Sequence, residues 1–142
     1  MCYWEGIVCD LLDKKTVIGI SLPSANLAAT LPSELGLLKS LKDINLSQNA
    51  FYGRIPASIA KLTALETIDM SNNMISGTFP HFASSLLRVL KLGSNLIGGR
   101  LHEDFGTAHE HLVSFEVAHN QMIGPIPDSV SALHTLDTLS CK

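Results

Sequence analysis

From Leu41 the chain reads LKDINLSQNAFYGRIP, and the same alternation of apolar and polar positions returns three times. It reopens at Leu65 as LETIDMSNNMISGTFP, at Leu87 as LRVLKLGSNLIGGRLH and at Leu112 as LVSFEVAHNQMIGPIP. A looser copy begins at Val17, VIGISLPSANLAATLP, and a clipped one at Leu136, LDTLSC. The openings at 17, 41, 65, 87, 112 and 136 are spaced 24, 24, 22, 25 and 24 residues. Self-similarity at a fixed period of this size marks a repeat array, in which one small unit is stacked many times.

Within the unit, the L-x-x-I-x-L core alternates apolar and exposed positions, the period-2 pattern of a half-buried strand. The inward side chains are Leu41, Ile44 and Leu46, then Leu65, Ile68 and Met70. Leu87, Leu90 and Leu92 follow, then Leu112, Phe115 and Val117. One such strand cannot bury its face alone, but stacked copies form a parallel sheet lining a continuous core. Each buried aliphatic side chain contributes roughly 1.5–3 kcal/mol. Gly then permits a bend, as in Gly53-Arg54-Ile55-Pro56, Gly77-Thr78-Phe79-Pro80 and Gly124-Pro125-Ile126-Pro127. Pro blocks strand extension and favours a short return turn. The expected fold is an α/β solenoid, a right-handed superhelix with a parallel concave sheet and short 3₁₀ or irregular convex segments.

Three residues after each strand core stands an asparagine: Asn49, Asn73, Asn95 and Asn120. An amide both donates and accepts, so stacked copies can bond the backbone of neighbouring turns. The competing reading is an exposed turn residue. Recurrence in one slot favours an interior ladder, whose loss would leave buried groups unpaired at about 1–3 kcal/mol each. The first copy departs from this, with Ala25 in the slot and Asn26 beside it.

Outward positions are the candidates for recognition. The concave face is expected to show Asp43, Asn45, Ser47, Thr67, Asp69, Ser71, Lys91 and Glu116. The flank around the glycines carries Tyr52, Arg54, Met74, Arg100 and Ile123, with Leu96 among them. Interface anchors favour Trp, Tyr and Arg. The flank holds such residues and the concave set does not, so a partner is expected to engage the flank at least as much. Six strands about 4.8 Å apart span only about 25 Å, which falls short of the roughly 20–30 residues of a standard interface side. A longer array, or a co-receptor, would be needed for tight binding.

Charge narrows the partners. The 142 residues carry a net charge of −3 and no basic patch, so nucleic acid is not among the expected ones. No apolar run approaches the roughly 20 residues of a membrane helix, so no membrane insertion is expected within the chain. Residues 1–4 also lack the basic and apolar stretches of a secretion signal. No Ser-His-Asp order, phosphate loop or kinase signature stands above the repeat pattern, and no cofactor is expected.

These residues resemble the plant-specific leucine-rich-repeat class, whose unit reads LxxLxxLxLxxNxLxGxIPxxLGxL. Cys2-Tyr3-Trp4-Glu5-Gly6-Ile7-Val8-Cys9 resembles the C-x-W-x-G-V-x-C cap that precedes such arrays. The resemblance implies a partial cap over residues 1–16 and an array over 17–142, with repeats from 17, 41, 65, 87 and 112 and a truncated one from 136. It also implies extracellular or plasma-membrane recognition of a protein, peptide or glycan, as in receptor-like kinases, receptor-like proteins and polygalacturonase inhibitors. Three departures stand out. The fourth copy has Leu101-His102 in place of Ile-Pro, the helix before the cap is missing, and the array stops inside a strand. An uncapped end exposes apolar core, so a piece of a longer protein is expected. A receptor kinase with its catalytic domain outside this chain and a wall-associated scaffold are the alternative readings.

The resemblance pairs Cys2 with Cys9 in a disulfide, as suits an oxidising compartment; two thiols of an intracellular protein are the rival. Cys141 falls in the inward slot of Leu46 and Leu92, where a small buried residue is expected. Asn45-Leu46-Ser47 is a glycosylation sequon on the exposed strand face, with an unmodified Asn the equal alternative. His109-Glu110-His111, with His102 nearby in sequence, suggests a metal because an H-x-H pair can chelate, yet no recognised motif places a third ligand for that pair. They belong to the return segment of the irregular copy, where solvated polar residues are ordinary, and no metal is expected.

Overall fold

Each alternating segment forms a short strand, and the strands lie side by side, in a computed structural model that describes residues 4–141. The strand β1 (Ile7–Cys9) is followed by β2 (Val17–Ser21) and β3 (Asp43–Asn45). Then come β4 (Tyr52–Arg54), β5 (Thr67–Asp69), β6 (Met74–Thr78) and β7 (Val89–Lys91). The last are β8 (Leu96–Gly99), β9 (Ser114–Glu116), β10 (Gln121–Met122) and β11 (Thr138–Ser140). A long sheet has the order β1-β2-β3-β5-β7-β9-β11. All its pairs are parallel except β1 on β2, which runs antiparallel and covers the first edge. Cys2, the expected partner of Cys9, lies outside the described residues.

Register is set by the inward row. Ile20, Ile44, Ile68, Leu90, Phe115 and Leu139 stand opposite one another across the long sheet. Ile44, Ile68, Leu90 and Phe115 are at most 1% exposed. A slip of one residue would turn this row to water. Leu41, Leu65, Leu87 and Leu112, at 0% exposure, close the core where the chain enters each strand. The 22-residue unit keeps strand register because its shortening falls in the return segment, where no helix forms between Phe79 and Leu87.

Proline decides where the return segments turn. Pro32, Pro56 and Pro127 each immediately precede a short helical stretch, with φ of −71°, −59° and −61°. The ring holds that angle and ends the extended chain. The stretches are a 3₁₀ turn at Ser33–Leu37, α1 (Ala57–Ala60) and a 3₁₀ turn at Asp128–Ala132. In the copy with Leu101-His102, α2 (Phe105–Ala108) begins later, after Asp104. Four aromatic rings fill this irregular region. Phe79 meets Phe82, Phe105 and Phe115 edge-on at 6.2, 5.9 and 6.3 Å, and Phe105 lies 4.6 Å from Phe115. Such offset and edge-on pairs each add about 0.5–1.5 kcal/mol beyond their burial.

Two features differ from the sequence expectation. The segments after the asparagines, of which only a bend at glycine was expected, build a second parallel sheet of order β10-β8-β6-β4, extended by a bridge from Thr30 to Tyr52. These runs of two to five residues, three of the four containing glycine, lack the β-branched alternation of a strand. Stacking supplies the partners that their composition does not announce. Cys141, expected to be buried, is exposed, and Leu139 beside it is 46% exposed. A solenoid buries its inward slots between successive turns, and among the described residues no turn follows β11.

Candidate functional site

The asparagines occupy equivalent places between the two sheets. Asn49 Nδ2 donates to the carbonyls of Leu22, Leu46 and Ser47 at 2.8, 3.0 and 3.1 Å, and its Oδ1 accepts from the amides of Ala25 and Leu27. Asn73 donates to Leu46 and Met70 and accepts from Phe51. Asn95, 6% exposed, donates to Met70 at 2.9 Å and Leu92 at 3.0 Å and accepts from Ile75 at 2.9 Å. Asn120 donates to Leu92 and Val117 and accepts from Ile97. Each amide reaches one turn back, so the row joins consecutive repeats where the chain leaves the long sheet. Among the described residues no buried side-chain nitrogen or oxygen lacks a partner. The interior is therefore occupied, which leaves the outward side chains for chemistry with other molecules.

On the long sheet the outward residues engage one another. The Thr67 hydroxyl donates to Asp43. Asn45 Oδ1 accepts from the amide and hydroxyl of Ser47 at 3.1 and 2.8 Å. Asp69 Oδ1 does the same with Ser71 at 3.0 and 2.7 Å. Lys91 pairs with Glu116 at 2.9 Å, and that hydrogen bond holds its ammonium pKa above the usual lysine range. Asn45, Asp69, Lys91 and Glu116 form one row across β3, β5, β7 and β9.

The second sheet displays a different surface. Tyr52, Met74, Leu96 and Ile123 are 50%, 48%, 47% and 63% exposed. Arg54 ends β4, Arg100 follows β8, and both are exposed. Their flank location was legible from the x positions around each glycine; the sheet that aligns them was not. Where the chain enters β5, β7 and β9 lies an open recess of about 370 Å³ lined by Glu66, Leu86, Arg88, His111, Val113 and Thr135.

The histidines do not converge. His109, expected to be solvated, is 3% exposed; its ring packs against Phe105 at 5.0 Å, and Nδ1–H donates to the Ser84 carbonyl at 2.9 Å. The carbonyl can only accept, so the proton sits on Nδ1. His102 instead meets His81 edge-on at 4.6 Å, and His81 lies 3.4 Å from Asp104. Among the described residues no group of three or more His, Cys, Asp or Glu is placed to hold a metal ion.

Burial holds the His109 imidazole below its ordinary pKa, opposed by the Ser84 carbonyl, which favours the charged form. The unfolded chain, with a His pKa of about 6.5, therefore takes up this proton first. Stability from this residue is present above about pH 6.5 and is lost as pH falls from there toward the lowered folded value. Urea unfolding at pH 7.5 and 5.5 checks this: the wild type should lose more stability on acidification than His109→Gln. Equal losses would contradict it.

Comparison with known proteins places these features. The family model described as Leucine Rich Repeat matches residues 40–62 and 64–86. Over 51 residues the chain is 43% identical to the LRR receptor-like serine/threonine-protein kinase FEI 2 of Arabidopsis thaliana, covering 36% of this chain and 8% of that protein. The matched stretch spans less than a tenth of the curated relatives. The structure is similar to the LRR ectodomain of the receptor kinase SOBIR1 from Arabidopsis thaliana, with a TM-score of 0.87 and 30% identity over 98% of this chain and 80% of that one. It is also similar to the Arabidopsis receptor kinase HAESA in complex with the peptide hormone IDA and the co-receptor SERK1. There the TM-score is 0.75 at 27% identity, over 79% of this chain and 19% of that one.

Proposed function

The chain belongs to the leucine-rich-repeat family of plant receptor-like proteins, and on that premise we propose that it is a non-catalytic recognition module that binds a protein or peptide. The observation that carries the reading is the division of labour between the two sets of side chains. Inward residues and the asparagine row are consumed by stacking, and the outward residues of two adjacent sheets stay on the surface. HAESA, of the same fold, is held with a peptide and a co-receptor. A similar division here supports a ligand on these faces, with a second protein completing the contact area. The reading extends to the extracellular side of the plasma membrane, as part of a receptor kinase or receptor-like protein, with residues 1–16 as cap and the repeats from 17 onward.

The faces differ in readiness. The long sheet's polar groups are satisfied by one another, so a ligand there must displace internal hydrogen bonds. The second sheet offers Tyr, Met and Arg side chains, types enriched in interfaces. The partner therefore engages the second sheet at least as strongly.

The test is selection of displayed peptides on the immobilised folded chain, followed by affinity measurement on variants. The selected peptides should bind Tyr52→Ala and Arg54→Ala at least tenfold more weakly, with unfolding midpoints unchanged. Peptides that never emerge, or that bind every outward variant normally, would refute the module. Sensitivity to Asp69→Ala alone would move the site to the long sheet.

A further inference from the structure

We infer that the outer face of the second sheet is built to dock an acidic, extended polypeptide; this rests on the recognition reading and names the chemistry of the partner. The chain carries an excess of acid, with a net charge of −3. Yet residues 49–56, 73–80, 95–101 and 120–127, which supply this sheet and its borders, contain no Asp or Glu and two arginines. Among the described residues the ion pairs are Lys42–Glu66, His81–Asp104 and Lys91–Glu116, so neither arginine is neutralised by one. Glu103 and Asp128 line a recess with Arg100, so the positive field is stronger at Arg54.

The stems of the two arginines are also held in place. A Cβ on Gly77 would lie 2.6 Å from Arg54 Cγ, and one on Gly124 would lie 3.1 Å from Arg100 Cδ. Each arginine stem thus lies across the glycine of the next turn, whose φ of +88° or +83° also favours glycine. Stems packed this way lose less freedom on binding, and a guanidinium fork takes a carboxylate in two parallel hydrogen bonds. Around them stand the half-exposed Tyr52, Met74, Leu96 and Ile123. These apolar anchors favour a polypeptide with apolar side chains over an acidic sugar.

Register sets the spacing. Arg54 ends β4 and stands level with Ser76 and, through it, with Leu96, so Arg100 lies two strands across and four residues further along. Offsets of about 10 Å and about 13 Å separate the two by about 16 Å. Only an extended chain spans that distance in a few residues. In a polyproline II chain every third residue shares a side, and acids six apart stand about 19 Å apart, within reach of two long side chains. The fitting ligand carries acids along one side of an extended chain with apolar residues between.

The probe is a fluorescein-labelled peptide of four Glu-Pro-Leu units, with Gln-Pro-Leu and Lys-Pro-Leu versions as controls. Fluorescence anisotropy in 50 mM salt should show the Glu peptide binding at least tenfold more tightly than the Gln peptide, with the preference shrinking in 0.5 M salt. Arg54→Gln/Arg100→Gln should erase the preference, Arg54→Gln alone should weaken it more than Arg100→Gln, and Lys61→Gln, exposed on the return segment, should leave it intact. No binding, equal binding of the Glu and Gln peptides, or a preference that survives the double variant would overturn the inference. So would displacement by a uronic acid oligomer together with indifference to Met74→Ser/Ile123→Ser, which would assign the face to an acidic glycan. Failure here leaves peptides selected in the earlier experiment standing, whereas failure of the recognition reading removes those as well.

Discussion

Asn95→Ala is expected to lower the stability of the fold by about 2–6 kcal/mol. The amide is 6% exposed and serves the Met70 and Leu92 carbonyls and the Ile75 amide, each at 2.9–3.0 Å. Alanine orphans the Ile75 amide in a region closed to water, at about 1–3 kcal/mol, and takes one donor from the Met70 and Leu92 carbonyls, which keep Asn73 and Asn120, at about 0.5–1.5 kcal/mol for each bond lost. Domains of this kind have about 5–15 kcal/mol in all, so this single change removes a large fraction. Urea unfolding monitored by circular dichroism measures it. Asn95→Asp tests the mechanism, because it keeps the acceptor and loses the two donated bonds, and it should also be strongly destabilising. A loss below about 1 kcal/mol for both variants would mean that the row is dispensable.

Phe115→Ala should cost about 3–5 kcal/mol, the range for emptying a buried aromatic site. Phe115 is 0% exposed and touches the rings of Phe79 and Phe105. Those rings belong to the third and fourth units, so the residue joins three successive turns where the period is least regular. Because it shares partners with Phe105, the double variant with Phe105→Ala should cost less than the sum of the two single changes. Strict additivity in urea unfolding would show that the rings do not act as one cluster.

The stacking of turns was legible in the sequence because inward positions repeat with both periods at once, two residues within a strand and about 24 between turns. Ile44, Ile68 and Leu90 could be placed in one row before any coordinates, since their outward neighbours, Val89 apart, are polar. The second sheet was illegible for a physical reason. Tyr52-Gly53-Arg54 has no strand pattern of its own, and its hydrogen-bond partners come from the stacked neighbours on either side, the copy at Met74 and the segment at Ala29 and Thr30. The same limit applied at His109. Its burial comes from α2 beginning after Asp104 in the copy without proline, which carries the ring beneath Phe105. Among the site residues, the outward position of Asp69 could be read from alternation. Its engagement by the Ser71 hydroxyl, or of Lys91 by Glu116, depends on side-chain geometry that a pattern does not contain.

Amide hydrogen exchange tests the central claim most directly, that each turn is tied to the one before through interior asparagines. The amides of Leu27, Phe51, Ile75 and Ile97 bond to the side-chain oxygens of Asn49, Asn73, Asn95 and Asn120. These four should exchange as slowly as the amides at the centre of the long sheet, and Ile75 should lose most of its protection in Asn95→Ala. Rapid exchange at all four in the wild-type protein would contradict the account.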